Sequence, residues 1–147
     1  MGVYPIGDQR VGVEIAVPVL DDDGQPTFTE LGTPIVDEAV VWVDNACFEI
    51  QTPTEQQNLT VTTSEIAWAM LPIADGVIPA VDDDGNDASL QFFDQTPGEH
   101  FGRPTIDANT WLRHNGLRYA MRGDSVLEQD IRGREDHVFA VCERQQG

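Results

Sequence analysis

Turn-forming residues interrupt this sequence so regularly that most apolar segments between them have only strand length. Asp21-Asp22-Asp23-Gly24, Gly32-Thr33-Pro34, Pro97-Gly98, Asn115-Gly116 and Arg132-Gly133-Arg134 are the clearest of these breaks. Asp and Gly tolerate the left-handed backbone that tight turns need, and Pro cannot donate to a strand ladder. Short apolar pieces separated by turns at about 8–12 residue spacing indicate a β-sandwich or barrel. The sequence is therefore expected to be all-β: a small barrel of about 6–8 short antiparallel strands with long loops.

The segments can be placed one by one. Val11, Val13, Ile15, Val17 and Val19 alternate with Gly12, Glu14, Ala16 and Pro18. That period of two marks a half-buried strand, with Pro18 at an edge or an end. Thr27–Leu31 is expected to form a short second strand, Val36–Val43 a third and Cys47–Ile50 a further one. Pro53–Asn58 reads as loop. Thr60–Ile73 is compatible with a strand whose one face holds Val61, Ile66, Trp68 and Met70. Its Glu65–Leu71 portion also has helix propensity, with Ser64 as a possible cap. The strand is favoured because the run is short and its neighbours are β-rich. Thr105–Leu112 reads as a strand, and Asn115-Gly116 is the strongest hairpin signal in the sequence. Leu117–Met121 returns, and His137–Arg144 closes the domain. Trp42, Trp68 and Trp111 all fall in strand segments and are expected in the core.

A length of 147 residues suits one domain. Residues 1–9, broken by Gly2, Pro5 and Gly7, form an N-terminal arm, and residues 10–147 form the barrel. The irregular stretch from 76 to 102 is a long loop insertion of the kind that is usually functional or disordered. The opening residues are not expected to act as a secretory leader, and no apolar run reaches membrane-spanning length.

Charge narrows the function classes. The chain carries 26 Asp and Glu against 8 basic residues, all Arg, for a net charge of −18. Residues 1–100 hold a single arginine, Arg10, and 19 acids, whereas residues 101–147 hold seven of each. DNA binding and attachment to anionic membranes depend on Lys and Arg, so such a surface argues against both. Solubility or a codon bias toward Arg would leave the same composition.

Chemistry-bearing motifs are scarce. The run Asp82-Asp83-Asp84-Gly85-Asn86-Asp87 invites a calcium reading, but Gly stands at position 4 instead of 6, and Phe93 replaces the acid needed at position 12. His100, His114 and His137 lack metal-site spacing. Ser64 and Ser125 lack a nucleophile-elbow context. Cys47 and Cys142 match no zinc or redox spacing and are expected to be reduced thiols. Asn58-Leu59-Thr60 fits a glycosylation sequon, expected to be fortuitous without secretion. No catalytic residue, metal or cofactor is expected. The arginines of the last third, Arg113, Arg118, Arg122, Arg132 and Arg134, alternate with acids. Arg forms rigid two-pronged contacts with carboxylates, so these five are candidate inter-subunit contacts. Solvated surface ion pairs of small value are the plain alternative.

The C-terminal third, with Gly116, Tyr119 and Gly123 in Asn115-Gly116-Leu117-Arg118-Tyr119-Ala120-Met121-Arg122-Gly123-Asp124, resembles the head-to-tail stopper, or head-closure, proteins of tailed bacteriophages. In that family a Gly-x-x-Tyr-x-Val-x-Gly hairpin precedes a last strand ending in Arg; Met121 here replaces the commoner Val. Leu71-Pro72 resembles the end of another family strand, and Val11–Val19 resembles the opening one. The resemblance implies a structural virion protein at the head–tail junction, assembled in the host cytoplasm. It implies a homo-oligomeric ring, six- or twelve-fold, between a portal–adaptor complex above and a tail terminator or tail tube below. Such a ring retains packaged DNA, lets it pass without tight binding, and offers the tail a docking platform. It also implies a loop reaching into the channel, for which residues 76–102 are the candidate, with Asp82, Asp83, Asp84, Asp87 and Asp94 as lumen or gate residues. The alternatives are a neighbouring connector role, such as tail terminator or adaptor, and a non-viral β-rich binding module for sugar or protein. Exposed tryptophans in one groove would favour the binding module.

Overall fold

The computed structural model describes residues 6–51, 63–95 and 97–146. These contain nine strands and no helix: β1 (Gln9–Pro18), β2 (Val36–Gln51), β3 (Thr63–Pro72), β4 (Val77–Ile78), β5 (Leu90–Gln91), β6 (Trp111–His114), β7 (Leu117–Met121), β8 (Val126–Gln129) and β9 (Glu135–Gln146). Six of them form an antiparallel sheet in the order β3-β2-β1-β6-β7-β9, and pairing of β3 with β9 closes it into a barrel. The extra strand β8 pairs with the first half of β9, next to where β7 pairs with the second half. The all-β barrel expected from the turn spacing is the observed fold.

The interior is filled mostly by small and medium side chains, with an aromatic cluster toward one end. β1 contributes Val11 and Val13, and β2 contributes Val41, Val43, Ala46 and Phe48. From β3 come Ala67, Ala69 and Leu71, and from β9 Val138, Ala140 and Cys142. Tyr119 of β7 is the largest fully buried side chain. Its ring meets Phe48 edge-on at 5.0 Å, while His114 stacks on the same Phe48 at 4.1 Å.

Three strand assignments need correcting. The two segments expected at Val36–Val43 and Cys47–Ile50 are one strand, β2. Its inward residues switch phase between Val43 and Ala46, because Asp44 and Asn45 together oppose Arg10 of β1, and Asn45 has a φ of 60°. This β-bulge lets one strand pair first with β1 and then with β3. Thr27–Leu31 is not a strand: residues 19–35 make a small meander held by the isolated bridges Leu20↔Pro26 and Phe28↔Pro34. The segment expected as a strand at Thr105–Leu112 begins its strand only at Trp111. The side chain of Thr110 donates to Asp107 and its amide bonds the Asp107 carbonyl, which spends residues 107–110 on a turn.

The strand reading of the Thr60–Ile73 segment holds for its described part, β3. The Asn115-Gly116 hairpin is also present: both residues have positive φ, 52° and 78°, as the two-residue turn demands. Residues 6–8 of the expected arm are tied down, since the Ile6 and Gly7 amides both donate to the Asn45 carbonyl at 3.0 Å. The rest of the arm, the loop at Pro53–Asn58, Thr60–Thr62 and the sequon lie outside the described residues.

Candidate interaction surfaces

Three surface features follow from this architecture: a projecting hairpin, an apolar outer wall and a packed acidic insertion. The hairpin is made of β1, β2 and the meander between them. On the core-facing side of β1, exposure climbs from 1% at Val13 through a half-buried Ile15 to 39% at Val17. The ladder continues through Val17↔Asp37 and Pro18↔Val36, so paired strands carry an apolar face beyond the core. At the end, Leu20 and Phe28 are more than half exposed and Leu31 is 94% exposed. Residues 15–39 hold six acids, Asp21, Asp22, Asp23, Glu30, Asp37 and Glu38, and no arginine.

The second feature is the outside of β8, β9, β3 and β2. Cross-strand register sets Val126, Phe139, Met70 and Cys47 in one row across these four strands. The next row contains Val141, Trp68 and Glu49, and the Arg122 amide bonds the Val141 carbonyl at 2.8 Å. Trp68 meets Phe139 edge-on at 5.7 Å and remains 39% exposed. The tryptophans are therefore not core residues, contrary to expectation: Trp42 is half-buried and Trp111 is 37% exposed. The barrel lumen has room for the alanines of β3 and not for its indole. Nor do the three share a groove. Trp42 lies across Gly12 and beside a cleft of about 450 Å³, while Trp68 and Trp111 stand on separate strands.

The insertion at 76–102 is irregular but packed. Ile78, Ala80 and Phe92 are buried, β4 pairs with β5, and Val81 exchanges two backbone hydrogen bonds with Trp42 at 2.7 and 3.0 Å. The acidic run forms a tight turn. Asp82 Oδ1 accepts the amides of Asp84 and Asn86, both at 2.9 Å, and Gly85 closes the turn at φ 84°. Asp83 accepts the Trp42 indole N–H at 2.8 Å. Asp87 accepts both the hydroxyl and the amide of Ser89, which hold its carboxyl below the usual range. The Asp94 backbone pairs with Arg103 and Gly102. The same turn recurs at Asp21–Gly24 and Asp130–Gly133, where the first Asp caps two later amides each time. Among the described residues no group of three or more His, Cys, Asp and Glu could hold a metal ion.

The candidate inter-subunit arginines are largely engaged within the chain. Arg118 reaches Glu14 with two nitrogens, at 2.7 and 2.8 Å, and Arg113 reaches the same carboxylate at 3.0 Å. The Glu14 side chain is almost fully covered, and these hydrogen bonds, chiefly the one from Arg118, hold its pKa below the usual range. Arg118 also lies 3.8 Å from the centre of the Trp111 ring. Arg134 pairs with Asp130 at 3.3 Å and Arg122 more loosely with Glu143 at 3.9 Å. Arg132 makes no ion pair among the described residues, and its neighbour Ile131 is fully exposed. Elsewhere Arg10 grips Asp44, and Arg144 binds Glu65, which also accepts the Tyr119 hydroxyl at 2.8 Å.

Sequence reasoning missed Glu14 as the centre of an arginine pair and missed the outer wall. Only the wall had a signal. Ile66–Leu71 and Val138–Cys142 are apolar at consecutive positions, the pattern of strands covered on both faces. No family model, no curated protein and no solved structure matches the chain.

Proposed function

We propose that this chain is a non-catalytic structural subunit of a ring at the head–tail junction of a tailed bacteriophage, where it retains packaged DNA and gives the tail a platform. The observation that carries this reading is the disposition of its cations. The net charge is −18, and six of the eight arginines, Arg10, Arg113, Arg118, Arg122, Arg134 and Arg144, are paired with the chain's own carboxylates. Arginines already matched to carboxylates release few counterions from a phosphate backbone. A bore lined by such subunits passes DNA without gripping it, and closure comes from narrowing, not adhesion. The exposed turn at Asp82–Gly85 is the candidate for that narrowing, since its packed base holds it in one position. The resemblance of the Asn115–Asp124 hairpin and of Leu71-Pro72 to head-closure proteins supports the same role.

The test is to add purified protein to DNA-filled heads lacking their closure protein and to measure the DNA retained. A gain in retention is expected; no gain defeats the proposal. Binding to isolated tail tubes in place of filled heads would shift the role to tail terminator.

A further inference from the structure

One edge of β1 is left uncovered. On one side β1 pairs with β2 as far as Pro18↔Val36, but on the other β6 covers it only at Gly12 and Val13. The turn at residues 107–110 takes the place of the strand that would have continued β6 along β1. A groove of about 650 Å³ runs there, between residues 13–16 of β1 and residues 104–110.

Backbone parity decides what this edge offers. Trp42 exchanges two backbone hydrogen bonds with Val81, so its N–H and C=O point away from β1. Trp42 stands opposite Gly12, and successive pairs of an antiparallel ladder alternate. Gly12, Glu14 and Ala16 therefore turn their backbone groups away from β2 and toward the groove. The phase holds at the far end, where the odd-numbered Val19 donates its amide to the Ile35 carbonyl at 3.0 Å. Ala16 is exposed, and among the described residues no strand pairs with it on the groove side. Pro18 has no N–H and ends the usable edge. Below, Ile15 and Leu90 pack half-buried against the core, and Ile106 is fully buried. Asp94, Asp107 and Asp124 line the groove against one arginine, Arg103, with His100 beside them. The Glu14 carboxylate is already matched by Arg113 and Arg118.

We propose that this slot receives an extended segment of a partner protein, which adds as a strand antiparallel to β1 and alternates apolar with basic side chains. An extended backbone is what can exchange both hydrogen bonds with Ala16, which fixes the class of the occupant. Antiparallel is the direction that β6 already takes. Directly opposed residues share a face of the sheet. Those opposite Ile15 and Val17 lie on the core-facing side and are apolar; the one opposite Ala16 lies on the outer side and is basic. The three aspartates select against an acidic segment. A second copy fits poorly: the chain has no lysine, six of its eight arginines are paired internally, and its own hairpin is two strands wide. The slot serves such a partner whether or not the chain assembles as a ring.

Titration of the isotope-labelled full chain with the peptide Lys-Val-Lys-Val-Lys-Val-Lys tests this, at an ionic strength where the Debye length is about 8 Å. In the free chain the Ala16 amide should exchange with solvent at least tenfold faster than those of Ile15 and Val17, which bond β2. Saturating peptide should slow it at least tenfold. N-methylating the lysines, whose amides meet Ala16, should weaken binding at least tenfold; N-methylating the valines, whose amides point away, should not. A peptide with glutamate for lysine should bind at least tenfold more weakly. Ala16→Pro deletes the donor without touching the β2 ladder and should cost the same factor with unchanged circular dichroism. If that variant misfolds, the two methylated peptides decide. Absence of saturable binding, equal losses for the two methylated peptides, undiminished binding of the glutamate peptide, or an Ala16 amide that stays fast at saturation would overturn the proposal. Protection of Ala16 that rises with protein concentration alone would make the occupant a second copy and overturn it as well. DNA retention by filled heads is read separately, so failure here leaves the ring role standing.

Discussion

Arg118 closes on Glu14 with two parallel hydrogen bonds, at 2.7 and 2.8 Å, from a strand 104 positions away in sequence. Together with Arg113 it links β1 to β6 and β7 at a seam of the barrel where the backbone ladder is short. β1 and β6 share only the pairs Gly12↔Arg113 and Val13↔Leu112, whereas β1 and β2 pair along nearly the full length of β1. Side-chain ionic contacts thus reinforce a seam that has few backbone bonds.

Glu14→Gln is expected to lower stability by about 1 kcal/mol, a modest figure because both guanidinium groups remain open to water. The pH dependence has a definite sign. The folded pKa of Glu14 lies below its unfolded value of about 4.3, so its contribution is complete above that pH and is lost as pH falls through the folded value. Acid denaturation followed by tryptophan fluorescence should show the variant losing less stability than wild type over that window.

Ala69→Leu tests the narrowness of the lumen. Ala69 is fully buried, directly opposite Ala140 of β9 and Phe48 of β2. Added methylenes have nowhere to go, and a loss of about 1–3 kcal/mol in denaturant unfolding is expected.

Tyr119→Phe removes the hydroxyl that donates to Glu65 and should cost about 1 kcal/mol by chemical denaturation. Burial first, and the Glu65 carboxylate second, push the Tyr119 pKa upward. A raised folded pKa gives stability that is full below the unfolded value of about 10 and is lost as pH climbs through the folded one. The alkaline limb of the stability profile should therefore flatten in the variant.

Calcium should leave the thermal midpoint unchanged once ionic strength is matched, because Asp82 already caps two amides of its own turn. Gly85→Ala should lower that midpoint by an amount equivalent to about 1 kcal/mol, the cost of placing a Cβ in the left-handed region. A calcium-dependent rise of several degrees would contradict this account of the acidic run.

Thiol labelling separates the cysteines from any redox role. Burial pushes the Cys142 thiol up to about 12, and burial with nearby Glu49 and Asp8 raises Cys47 as well. Both should react slowly with a disulfide reagent at neutral pH, Cys142 only after unfolding. A fast native reaction at Cys142 would contradict its placement in the core.

The parts of the fold legible in sequence are those fixed by local geometry. The alternation of Val11–Val17 and the Asn115-Gly116 turn each determine a conformation within a few residues. The bulge at Asn45 was not legible, because a change of phase looks the same as a strand ending. The outward placement of Trp68 was hidden for a different reason: only closure of the barrel decides whether Ala67 or Trp68 faces inward, and side-chain volume resolves it in favour of alanine. Glu14 was hidden because its partners come from β6 and β7, and only the barrel brings those strands beside β1. The five arginines stood out by type, but the sequence could not reveal that most already had carboxylate partners.

The bulge also has a mechanical consequence. Because β2 runs unbroken from beside the meander to its pairing with β3, an axial push on the hairpin meets a row of hydrogen bonds loaded together in shear, not unzipped one at a time. Force applied at Leu31 is thereby delivered to the opposite wall through a single stiff strut.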